Sequence, residues 1–65
     1  MSYAFLDKLP LTLANRHEIY SRNLDSPFRI YKAVSDDNFG YVSLEEKRRL
    51  LAAVWPLLSK DEQAC

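Results

Sequence analysis

The sequence predicts an all-α protein: one small helical domain over residues 1–65, a three- to four-helix bundle with a long C-terminal amphipathic helix, assembled as a dimer. Three observations predict it. One Gly and three Pro leave too little punctuation for a small β-protein. Ser26-Pro27 and Ser43-Leu44-Glu45-Glu46 are both helix-start signatures. The last third of the chain repeats apolar residues at helical spacing.

The elements follow in order. Ser2 can cap a short first helix carrying Tyr3, Phe5, Leu6 and Leu9, which Pro10 ends. From Leu11 to Leu24, the residues Leu13, His17, Tyr20 and Leu24 recur at steps of four, three and four, and are read as the apolar stripe of a second helix. Glu18 and Arg22 lie off that stripe at i and i+4 and can pair. Ser26 suits an N-cap and Pro27 a first helical turn, where its missing N–H costs nothing. Phe28, Ile30, Tyr31, Ala33 and Val34 then give a third helix its apolar side, to about Ser35. Asp36 to Val42 reads as a loop.

Ser43 opens the last helix with a capping box, in which Ser43 and Glu46 each satisfy the other's backbone N–H. At about 100° per residue, Leu44, Leu50, Leu51, Val54, Trp55, Leu57 and Leu58 share one arc, while Glu45, Arg48, Arg49, Ala52, Pro56 and Lys60 fill the other side. Lys47 is the one intruder, and its aliphatic stem can lie along apolar surface. The unbroken pattern predicts a helix that continues, kinked, past Pro56. The alternative is a stop at Val54 and a new short turn. Ser59-Lys60-Asp61-Glu62 is a second capping-box string.

Bulk properties narrow the function classes. A chain of 65 residues buries only about 60% of its unfolded surface, so a partner, metal or staple is expected to help. Cys65 is the only cysteine, which rules out an internal disulfide and suits a reducing compartment. Hydrophobic residues at 48% and charged residues at 28% are globular values. Nine basic residues balance nine acidic ones, so the net positive field that drives nonspecific binding to nucleic acid or anionic lipid is missing. The opening "MSYAFLDKLPLTL" lacks the basic start and apolar run of a signal peptide. No stretch nears the roughly 20 apolar residues of a membrane span. The cytoplasm is the expected location.

The stretch "DDNFGYVSLEEKRRLL" poses the one question of chemistry. It resembles an EF-hand calcium loop. With Gly40 at the sixth loop position, Ser35 falls at the first, Asp37 at the third, Phe39 at the fifth, Val42 at the eighth and Glu46 at the twelfth. Gly40, Val42, Asp37 and Glu46 fit that loop. Ser35 and Phe39 do not: two anionic ligands are lost from a site that depends on charge count. Glu46 also has a competing use in the capping box. The expectation is therefore a polar turn with its Gly at positive φ, then a capped helix, and no bound metal or cofactor.

His17, the single histidine, has no second His or Cys to complete a zinc site and no nucleophile to serve, so a core or boundary position is expected. The acid pairs Asp36/Asp37, Glu45/Glu46 and Asp61/Glu62 are sequence neighbours, which on a helix point about 100° apart and make no catalytic dyad. One Gly leaves no phosphate loop. Lys47-Arg48-Arg49 is the only basic cluster. A solvated face outweighs a phosphate patch there, with Arg48 and Arg49 the candidate contacts.

The apolar arc of the last helix spans about 160°, against a little over 100° for the helix of an ordinary monomer. The expectation is leftover apolar surface, covered by a second copy or by another protein. Phe39, Tyr41, Leu44, Leu51, Val54, Trp55 and Leu58 are the residues expected to meet that partner. The expected function is a non-enzymatic interaction module that inhibits, masks or recruits a larger protein. The alternative is a dimeric DNA-binding regulator, because "LPLTLANRHEIYSRNLDSPFRIYKAV" loosely resembles a ribbon-helix-helix order of strand, helix and capped helix.

Overall fold

Every α-helix start is fixed by a short side chain that accepts an otherwise unpaired N–H. The computed structural model describes residues 2–64. It contains four α-helices: α1 Leu13–Ser21, α2 Pro27–Ser35, α3 Leu44–Val54 and α4 Lys60–Gln63. Ser26 Oγ accepts from the N–H of Arg29 at 3.3 Å, with Pro27 in the first turn of α2. Ser43 Oγ accepts from the N–H of Glu46 at 3.1 Å, and Glu46 Oε1 lies 3.5 Å from the N–H of Ser43. Ser59 and Glu62 repeat the box at 3.2 and 2.8 Å, enough to set the single turn of α4. Before α1, Ala4–Lys8 forms a short 3-10 helix, and Ser2 Oγ accepts from the N–H of Ala4 at 3.1 Å. Leu9 is extended, as a residue preceding proline prefers.

α1 starts on a box that composition concealed, Thr12 with Asn15, at 3.0 and 3.1 Å. Because Asn15 spends its polar atoms locally, it can be buried. The face of α1 turned inward carries Asn15 and Ile19. This corrects the expected stripe. Leu13 and Tyr20 are exposed large apolar residues, and His17 is exposed rather than core or boundary. Tyr20 instead meets Tyr3 edge-on, ring centres 4.9 Å apart.

α1 and α2 end alike. Asn23 and Asp37 take left-handed backbone at φ 55° and 57°. The N–H of Leu24 then donates to Ile19 O at 3.0 Å, and that of Asn38 to Ala33 O at 2.8 Å. These are Schellman closures made without glycine, using the two residue types that tolerate this region best. Lys47 Nζ holds Asp37 at 2.8 Å.

The core draws on every part of the chain up to Leu58. Leu6, Leu9, Ile19, Ile30, Val34, Phe39, Leu50, Val54 and Leu58 are buried together. α2 and α3 are the most closely packed pair of elements. The Cα radius of gyration, 10.8 Å, matches the roughly 11 Å of a lone folded chain of this length.

The C-terminal segment departs from one expectation. α3 does not run on, kinked, through Pro56. The last α-type bond is from the N–H of Trp55 to Leu51 O, and the chain then makes one 3-10 turn, Trp55–Leu57, before Leu58 becomes extended. Proline explains the break, since it has no N–H to donate back to Ala52. The Trp55 carbonyl freed at the break accepts from the N–H of Leu58 at 3.1 Å and from Gln63 Nε2 at 3.0 Å.

Candidate docking edge of helix α3

The loop ahead of α3 sorts its aromatic pair. Gly40 sits at φ 69°. Phe39 goes inward, 1% exposed, and Tyr41 outward, 95% exposed. Gly40 is held against α1: a Cβ there would lie 3.0 Å from Glu18 Cδ. Glu18 Oε2 in turn accepts from Arg22 Nε at 2.6 Å, and Arg22 Nη1 donates to Asn38 Oδ1 at 3.1 Å. Gly40→Ala is therefore expected to cost about 1–2 kcal/mol in left-handed strain and to displace Glu18. A thermal melt checks it, with Tm about 5–15 °C below the parent; an unchanged Tm would show the turn to be tolerant.

The residues expected at a partner interface divide into two groups. Phe39, Val54 and Leu58 belong to the core, which corrects their assignment. Tyr41, Leu44 and Trp55 are exposed large hydrophobics, and Leu51 is half-buried against the core. Leu50 and Val54 set the direction in which α3 faces inward. Measured from Leu44 at about 100° per residue, Arg48, Leu51 and Trp55 fall within an arc of about 60°, on the flank of that inward face. Leu44 is 64% exposed and Trp55 is 42% exposed. Trp55 leans on Tyr31 of α2, ring centres 5.6 Å apart at 49°.

Arg48 is the member of this stripe that the reading by residue type missed. Its spacing to Leu44, Leu51 and Trp55 (four, three and seven) held the signal, but its charge assigned it to the far side. Arg49 is exposed and pairs with Glu45 at 3.4 Å. Arg48 has no carboxylate within ion-pair distance among the described residues.

The loop's acidic groups are committed elsewhere. Asp37 pairs with Lys47, and Glu46 Oε1 lies 3.3 Å from Ser43 Oγ in the cap of α3. The ribbon-helix-helix order needs a strand ahead of α1. There Leu9 is extended, Thr12 is already the cap of α1 and Leu13 its first residue, and no strand forms among the described residues. No helix among them is long and apolar enough to cross a membrane. Cys65 lies outside the described residues. Comparison with protein-family models, curated proteins and solved structures gives no match to this chain.

Proposed function

We propose that the protein is a small non-enzymatic interaction module of the cytoplasm. It binds a larger protein through the outer edge of α3 and inhibits, masks or recruits it. One observation carries the reading: Leu44, Leu51 and Trp55 line up on a helix flank that the chain's own core leaves partly open. Exposed tryptophan and leucine aligned along about three helical turns suit a helix-in-groove contact. The carboxylates support a binding rather than a catalytic role. Asp7, Glu18, Asp25, Asp36, Asp37 and Glu45 stand in ion pairs, and Glu46 and Glu62 in capping boxes. The dimer expected from the sequence is the competing way to cover the same edge.

A photo-crosslinking phenylalanine analogue at Leu44 or Trp55 is expected to join the chain to one discrete polypeptide in cells of the source organism. The same group at Arg49 is expected to join it to none. Equal crosslinking from all three positions, or none from Leu44 and Trp55, overturns the reading.

A further inference from the structure

We infer that the α3 edge takes an amphipathic helix of a second protein whose apolar face carries a carboxylate at its centre. The inference rests on the docking reading above and names the chemistry of the partner. Arg16, Arg22, Arg29, Lys32, Lys47 and Arg49 each lie within 4.0 Å of a carboxylate of this chain. Arg48, Lys8 and Lys60 do not, among the described residues; Glu45, three residues from Arg48, pairs with Arg49 instead. Arg48 is thus the one guanidinium without a carboxylate partner among the described residues, and it stands on the solvent-side margin of the apolar stripe, between Leu44 and Leu51 along the helix.

That placement selects the occupant. A wholly apolar partner would strip water from Arg48 and return nothing, which is costly for a charge. A carboxylate opposite it gives a charge-assisted, bidentate contact with apolar contacts on either side. A second copy of this chain is the wrong partner. The stripe from Leu44 to Trp55 has its midpoint between residues 49 and 50, so Arg48 lies only about 2 Å along the helix from the antiparallel two-fold axis that would cover the whole stripe. Such a dimer sets two guanidiniums against each other, and a parallel two-fold does the same. Anionic lipid or nucleic acid rewards several free cations together, whereas Arg49 beside Arg48 is already neutralised by Glu45. The stripe is about 16 Å long, so the partner presents about three turns.

The test uses the full chain and synthetic, tryptophan-free amphipathic peptides of about three to four turns, with leucines on one face and Glu, Gln or Lys at its centre. Binding is read from the fluorescence of Trp55, the only tryptophan in the chain. The Glu peptide is expected to bind about tenfold more tightly than the Lys peptide, with Gln between. Arg48→Glu, an exposed position outside the core, is expected to reverse that order. Equal binding by all three peptides overturns the carboxylate and leaves the docking reading standing. Failure of every peptide, with discrete crosslinks still formed from Leu44 and Trp55, overturns this inference alone. It is also overturned if the parent sediments as a dimer that Leu44→Asp dissociates, or if phosphatidylglycerol vesicles shift Trp55 emission while the Glu peptide does not.

Discussion

Val54→Asp is expected to leave the chain unfolded at 25 °C, while Trp55→Asp one residue later leaves it folded. Val54 is 1% exposed, in the buried cluster with Leu50 and Leu58. An aspartate there places a carboxylate where no partner waits, at a cost on the order of 5 kcal/mol. A 65-residue domain has about 3–10 kcal/mol in total to set against it. Trp55 is 42% exposed, and its charge can reach water. Losing its ring contact with Tyr31 costs about 0.5–1.5 kcal/mol on top of the apolar area it gives up, a smaller total than a buried unpaired charge, so the Tm falls by about 10–15 °C and the fold survives. Far-UV circular dichroism and amide NMR dispersion distinguish the two. A folded Val54→Asp chain would mean that α3 is turned otherwise about its axis.

Phe39→Ala is the second large effect. Phe39 is among the largest fully buried side chains, and its removal is expected to cost about 3–5 kcal/mol, shifting Tm by about 15 °C or more. A third or more of the domain's stability would go, in the isolated chain and with no partner present. That last point separates a core residue from an interface residue. Tyr41, two positions along and 95% exposed, provides the control: Tyr41→Ser should melt with the parent. If Phe39→Ala melts normally, the turn at Gly40 does not send Phe39 inward.

The contrast between these neighbours shows what the sequence revealed and what it did not. Helix starts were legible because caps are local chemistry: Ser26-Pro27, the Ser43–Glu46 box and the Ser59–Glu62 box all form as the letters suggest. The positive φ of Gly40 was legible for the same reason. The rotation of α1 was not. Its two faces differ little in apolar character, and Asn15 is buried once Thr12 satisfies it. Along α3 the arc of apolar residues was right as a set, but its division was hidden. Which of Leu44, Leu50, Leu51, Val54 and Trp55 faces α2 depends on tertiary packing, which residue type alone does not encode. At the end of α3 the chain takes the alternative to a kinked continuation, a stop at Val54 and a short turn, because the apolar pattern outlasts the hydrogen-bond ladder: Leu58 is buried as that pattern implies, yet extended. Phe39, expected at a partner surface, is instead sent inward by the glycine turn.

Breaking α3 at Pro56 leaves the Trp55 carbonyl in the grip of Gln63 from α4. The tail is therefore a tether on the strand of backbone from which the indole hangs. Slack introduced there would be felt first at the exposed edge carrying Trp55 and only afterwards, if at all, in the interior.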